Sequence, residues 1–209
     1  MNIRQLKNWH RLKKPEINER LLEFKRPKSD KEIFEELCFC IMTANASAKM
    51  GLKSIAAIKN KILTADETGI KNLLKGNHRF YNARARYIVH TRNYLKNICG
   101  LKMKKLLKSF KSPQDLRDFF AKTKDIKGIG YKEASHFLRN IGYSDYAILD
   151  KHILSCLREM KVIKETDKTL RVNYLEIEKK MKKFSRKVGI GMDELDLTLW
   201  SYKTGEILK

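Results

Sequence analysis

Proline is scarce in this 209-residue sequence, with three residues, and so are cysteine, with four, and glycine, with ten. No apolar run approaches the roughly 18 residues that cross a bilayer. The opening Met1-Asn2-Ile3-Arg4-Gln5-Leu6-Lys7 lacks the apolar stretch of a secretory signal. These absences give the expectation of a chain that stays where it is made, with no membrane partner. The cysteines, Cys38, Cys40, Cys99 and Cys156, form no Cys-x-x-Cys pair and no zinc spacing. They are expected to be reduced core thiols, and no metal site is expected. No stretch alternates apolar and polar residues over four or more positions with β-branched enrichment, so a sheet is not expected. Acid is the remaining shortage: 24 Asp plus Glu stand against 46 Lys plus Arg, a formal net charge of +22.

What the sequence does contain is helical periodicity. Apolar residues recur at three- and four-residue steps in Ile33, Leu37, Ile41, in Ile55, Ile58, Ile62, and in Ile153, Leu157, Met160. Pro15, Pro27 and Pro113 are expected where helices start or have ended, and Ser112-Pro113-Gln114-Asp115 reads as an N-cap with proline at the first helical position. Gly51, Gly69, Gly76, Gly100, Gly142 and Gly189 fall at intervals suited to helix ends. An apolar fraction of 42% is that of a globular chain with a core. The fold class is all-α.

A charge of +22 attracts polyanions and speeds their encounter, and every neutralised phosphate releases counterions. Nucleic acid is the natural partner; a Lys-rich compositional bias is the other explanation. The basic residues are spread along the chain, which favours a folded binding surface over a disordered arm.

The most informative stretch is Ile126-Lys127-Gly128-Ile129-Gly130-Tyr131-Lys132-Glu133-Ala134-Ser135-His136-Phe137-Leu138. Gly-Ile-Gly interrupts helical propensity, and an amphipathic helix follows with Ala134, Phe137 and Leu138 on one side. Glycines permit positive φ and let backbone N–H groups approach a ligand. At a helix N-terminus such amides suit a DNA phosphate, and Ile129 is placed to plug into the core. By itself the motif is equally a plain interhelical loop. Lys132 falls in the first turn of that helix, near the positive end of its dipole, which favours the neutral, nucleophilic amine. Eighteen residues on, Ala147-Ile148-Leu149-Asp150-Lys151-His152 brings an acidic residue after an apolar run and opens the next helix. Asp150 is a helix N-cap on this reading, and the role is compatible with catalysis.

Gly128-Ile129-Gly130-x-Lys132-x-Ala134 followed by Leu149-Asp150-x-His152 resembles the signature of the helix-hairpin-helix–Gly/Pro–Asp DNA glycosylase superfamily. Within it the chain looks closest to the short, mainly archaeal second type of 8-oxoguanine DNA glycosylase/lyase. The supporting segments are Glu36–Asn45, Gly76–Tyr81, Gly128–Gly142, and Glu194-Leu195-Asp196-Leu197 with Trp200 and Lys209. The iron–sulfur relatives carry four clustered cysteines near the C-terminus, whereas here only Cys156 lies beyond position 99. The alkyl-base enzymes generally lack the hairpin lysine, and the larger eukaryotic type carries an extra N-terminal domain for which this chain has no room.

The resemblance implies two helical lobes with a DNA-binding cleft between them: residues 31–135 as a barrel ending in the hairpin, and residues 1–30 with 136–209 as the second. It implies excision of 8-oxoguanine from double-stranded DNA through a Schiff base, with Lys132 attacking C1′ and Asp150 assisting, by a monomer in the cytoplasm with the nucleoid. Lys127, Gly128, Gly130 and His152 would contact the DNA backbone, and Asn45 would fill the gap left by the extruded nucleotide. Phe80 and Trp200 would stack on the base, with the Lys209 carboxylate reading its polar edge; the acceptor for the N7 proton is left open between a backbone carbonyl and Asp196. No cofactor is required, apart from allowance for a monovalent cation at the hairpin. Without the resemblance, Trp200 and Phe80 read as packing residues, Asn45 as a cap or buried amide, and Lys209 as a frayed end. The same chemistry on another damaged base, or a non-catalytic DNA-binding hairpin, are the other functions this pattern allows.

Overall fold

A computed structural model describes residues 1–164 and 170–208, and among them the backbone forms α-helices and no strand. In chain order the helices are α1 (Ile3–Lys25), α2 (Asp30–Thr43), α3 (Ala48–Ile58), α4 (Glu67–Leu74), α5 (Tyr81–Cys99), α6 (Met103–Lys108), α7 (Pro113–Lys122), α8 (Tyr131–Asn140), α9 (Lys151–Glu159), α10 (Leu170–Val188) and α11 (Met192–Thr204). They fall into two compact units, Pro27–Phe137, and Met1–Arg26 with Leu138–Lys209.

The unit Pro27–Phe137 is built around α2. Ser29 caps it: its hydroxyl accepts the Glu32 N–H at 3.2 Å, and Glu32 reaches back to the Ser29 N–H at 2.6 Å. From Leu37 to Met42 the helix is apolar on all sides, and Leu37, Cys38, Cys40, Ile41 and Met42 are fully buried. Helices α3, α5 and α6 pack against it. Gly51 lies inside α3, not at its end as the sequence pattern suggested, because a Cβ there would meet Thr43 Cγ2 at 2.7 Å and Phe39 Cε2 at 3.0 Å. The bare backbone is what lets α3 approach α2. Gly69 is likewise interior to α4. Ser112 and Pro113 open α7 as expected. Buried Phe120 meets Phe137 of α8 with ring centroids 4.8 Å apart.

In the other unit, Asn2 and Gln5 form a reciprocal cap on α1, whose Leu6, Ile17 and Phe24 are buried. Ile17, Phe24 and Leu197 form one core cluster, with Leu21 and Ile207 packed on it. Trp9 Nε1 donates to Ser201 Oγ at 3.1 Å, a second tie between α1 and α11. Pro15 corrects the sequence reading: it sits inside α1. Both Pro15 and Arg11, whose carbonyl loses its intrahelical partner, are exposed, so water replaces the missing bond while packing holds the helix. Three cysteines are buried and free as expected, but Cys99 is only partly covered, near the end of α5.

Candidate active site and nucleic-acid interface

The hairpin joins α7 to α8. Its core anchor is Ile126, 3% exposed; Ile129, expected as the plug, is half-buried. Gly128 has φ +75°, and a Cβ on it would lie 2.8 Å from Tyr87 Cδ2, so both conformation and space demand glycine. Gly130 has no such conformation. Its N–H, expected to face a phosphate, donates to Glu133 Oε2 at 3.2 Å. The Lys127 N–H is held by Thr91 Oγ1 at 3.0 Å. Lys132 is the second residue of α8, and its Nζ lies 3.5 Å from Glu133 Oε1, with the lysine side chain 24% exposed. The lysine side chain is therefore partly open to solvent, with its amine paired to a carboxylate.

Next to the hairpin, the turn after α2 meets the start of α5. His78 is buried between them: its Nε2 bonds to the Met42 carbonyl at 2.9 Å, and Nδ1 accepts the Phe80 N–H at 3.0 Å. Burial lowers its pKa, as suits a neutral ring with one donor and one acceptor. Asn45 is exposed with φ +57°. Arg79 donates to the Asn45 carbonyl and Arg84 to the Ala44 carbonyl, which fixes that left-handed turn. Phe80 is 41% exposed, so it is not the packing residue that a helix start would suggest. The Arg79 and Arg84 guanidinium carbons lie 4.5 and 5.7 Å from its ring centroid. An exposed ring flanked by cations and a polar left-handed turn suits bases and phosphates together. Arg84 also adjoins the hairpin, 3.4 Å from where a Gly128 Cβ would be.

The other unit holds the remaining candidates. Asp150 caps α9, and its Oδ1 accepts the N–H groups of His152 at 2.8 Å and Ile153 at 2.9 Å. The cap uses one oxygen and leaves Oδ2 outside it. His152 is half-buried in the first turn of that helix. Trp200 is half-buried on α11. Asp196, expected as a reader of the base edge, is 3% exposed with both oxygens engaged: Oδ2 by Arg139 Nη1 at 2.8 Å, Oδ1 by the Ile148 N–H at 3.2 Å. This geometry makes it an internal strut in place of an open acceptor. Lys209 lies outside the described residues.

A model of the 8-oxoguanine DNA glycosylase family matches residues 17–190. The chain belongs to this family. It is 46% identical over 197 residues to the 8-oxoguanine DNA glycosylase/AP lyase of Methanocaldococcus jannaschii, covering 92% of this chain and 91% of that one. The corresponding protein of Korarchaeum cryptofilum is 40% identical, covering 92% and 90%. Among solved structures, the Methanocaldococcus jannaschii glycosylase/lyase in complex with 15-mer DNA containing 8-oxoguanine superposes with a TM-score of 0.88 at 42% identity, covering 98% of this chain and 99% of that one. The Thermotoga maritima 8-oxoguanine DNA glycosylase gives 0.87 at 33%, covering 99% and 98%. The all-α fold read from the sequence and the family read from the hairpin signature both stand.

In this glycosylase family member, sequence reasoning passed over Glu133, Arg84, Tyr174 and Glu178. Gly130-x-x-Glu133 is a capping spacing and was there to be read. The others sit among many basic and polar helix positions, and only the fold shows which of them are buried.

Proposed function

We infer that this glycosylase removes 8-oxoguanine from double-stranded DNA and cleaves the strand at the resulting abasic site. The observation that carries the mechanism is Lys132, its side chain partly exposed in the first turn of α8 directly after a hairpin that only glycine at 128 can make.

Reaction at a sugar C1′ requires the nucleotide to leave the stack. Lys127 and the hairpin backbone hold the strand, with His152 contacting its phosphates. Asn45 occupies the vacated space. The extruded base stacks on Phe80 and Trp200, contacts of about 1–3 kcal/mol each, and the Lys209 carboxylate reads its polar edge. The Lys132 amine bonds to C1′ as the bond to the base breaks, and the Asp150 carboxylate stabilises positive charge on the sugar or takes the amine proton. The sugar ring then opens at C1′–O4′, O4′ taking up a proton, to give the Schiff base, and loss of a proton from C2′ expels the 3′ phosphate. Amine catalysis of this kind needs no cofactor. A monovalent cation at the hairpin would be held by backbone carbonyls, oxygen donors of the right kind, and would add positive charge beside a phosphate. The enzyme acts as a monomer on the DNA of the cytoplasm and its nucleoid.

Borohydride trapping tests this reading. Duplexes with different lesions are incubated with the protein and reduced. A covalent adduct with 8-oxoguanine, lost in Lys132→Gln, is the expected result. An adduct only with another lesion would change the substrate, and binding without any adduct would reduce the protein to a DNA-binding module. Asp150→Asn, which keeps a competent N-cap, should bind lesion DNA and lose most turnover; a near-normal rate would remove Asp150 from the mechanism.

A further inference from the structure

The segment that delivers Asp150 is buried and non-helical, and no strand lies beside it among the described residues. Tyr146, Ala147, Ile148 and Leu149 are all covered. Buried backbone N–H groups must find acceptors, and here three successive ones find them on side chains. Ala147 N–H donates to Glu178 Oε1 at 2.9 Å, Ile148 N–H to Asp196 Oδ1 at 3.2 Å, and Leu149 N–H to the Tyr174 hydroxyl at 3.4 Å. The Asp150 N–H closes back on the Ile148 carbonyl at 2.8 Å. Tyr174 is distinctive among these residues, because its hydroxyl also donates to the Ala147 carbonyl at 2.5 Å. One atom of α10 therefore bridges the residues one and three places before Asp150, from a ring only 3% exposed.

Pairing of these amides alone would need one acceptor each. A hydroxyl that both donates and accepts across Ala147 and Leu149 does more: it fixes the path of the chain immediately before the carboxylate. Asp150 has one oxygen tied to the α9 cap, so its remaining freedom is the position of the whole residue, which the bridge sets.

We propose that Tyr174 is a positioning residue for Asp150, its hydroxyl bridge holding the carboxylate where it assists base removal. This rests on the reading that Asp150 takes part in the reaction.

The test is a mutant cycle on single-turnover excision of 8-oxoguanine, with Tyr174→Phe made in the wild-type and in the Asp150→Asn protein. Phe keeps the buried ring and removes only the bridge. In the wild-type background the rate should fall roughly 10- to 100-fold, the loss that goes with a displacement near 1 Å at a reacting group. Duplex Kd should stay within about twofold, and the same change beside Asp150→Asn should cost less than about twofold. An equal loss in both backgrounds, a wild-type rate in Tyr174→Phe, or a rate loss matched by weaker DNA binding overturns the proposal. Glu178→Gln, which exchanges the charged acceptor of the Ala147 N–H for a neutral one, is read by the same cycle if Tyr174→Phe folds poorly. Near-normal excision by Asp150→Asn alone is a separate outcome, because it removes Asp150, and this role with it, whatever Tyr174→Phe does.

Discussion

Arg139 donates to Asp196 at 2.8 Å with the two side chains 4% and 5% exposed, so this ion pair is closed off from solvent. Burial pushes the Asp196 carboxyl up to about 7, against the pull of Arg139 and the Ile148 N–H, with the Asp150 and Asp193 carboxylates adding to the rise. A carboxyl whose folded value lies above its unfolded value of about 4 binds its proton more tightly in the native state. Its contribution to stability therefore falls as pH rises from about 4 to about 7 and is constant above that. Asp196→Asn removes this dependence. The variant should trail the wild type most at pH 5, where the wild-type carboxyl keeps its proton, and the gap in melting temperature should narrow between pH 5 and pH 8, because the amide never has to ionise in a buried site. A constant or widening gap would show that Asp196 is ionised throughout.

The hairpin glycines are not equivalent. Gly128→Ala forces a left-handed alanine, which costs about 1–2 kcal/mol, and adds a Cβ 2.8 Å from Tyr87. Gly130→Ala meets only the flexible Glu133 carboxylate, at 3.5 Å, and should cost less than about 1 kcal/mol, as for an ordinary surface substitution. Denaturant titration of the two variants checks the order. Duplex affinity should follow it, and equal losses in both would remove the packing argument.

Asn45 can be separated into its backbone and side-chain roles. Its φ of +57° penalises Asn45→Ala by about 1–2 kcal/mol, whereas Asn45→Gly takes that conformation freely. The glycine variant should therefore unfold like the wild type yet excise 8-oxoguanine more slowly, because it lacks the amide that fills the emptied stack. Full activity in Asn45→Gly would assign the gap to another side chain, Phe80 being the nearest exposed aromatic in sequence.

Much of this arrangement was legible before any coordinates. The hairpin, Lys132 and Asp150 were readable because glycine at a turn, an amine at a helix start and an acid at a helix cap each depend on local geometry. Asp196 was misread because its neighbours are 57 and 48 residues away, Arg139 and Ile148, and sequence gives no sign that such a carboxylate is closed in. Phe80 was placed in the base pocket by the resemblance alone: read by itself, a helix-opening aromatic looks like packing, and only the fold shows the ring exposed with Arg79 and Arg84 beside it. Tyr174 escaped for a related reason: it is one of two aromatics in the lysine-rich α10, and its hydroxyl bridge reaches residues 25 and 27 positions away.

Pro15 is the place where local rules and packing disagree, and that makes it a stability test. Proline inside a helix is about 3 kcal/mol worse than alanine, partly offset by about 1 kcal/mol of lost freedom in the unfolded chain. Pro15 is solvent-exposed and is not among the buried residues of α1. Pro15→Ala should raise stability by about 1–2 kcal/mol, or several degrees of melting temperature for a chain of this size, with excision unchanged. A drop in activity at raised stability would show that α1 needs its proline for more than folding.

The net charge of +22 makes a last prediction about how binding is shared along the surface. Each phosphate neutralised by the protein adds about 0.9 to the slope of log affinity against log salt. Lys127 carries a backbone N–H committed to Thr91, so its contribution to DNA is confined to its side-chain charge. Lys127→Ala should leave the fold intact, lower the slope by about one, and weaken lesion-bearing and undamaged duplexes by the same factor, since a phosphate contact reads no base. Titrations at several salt concentrations with both duplexes decide it. An unchanged slope would take Lys127 off the interface, and a loss confined to the lesion duplex would move it from the backbone to the base.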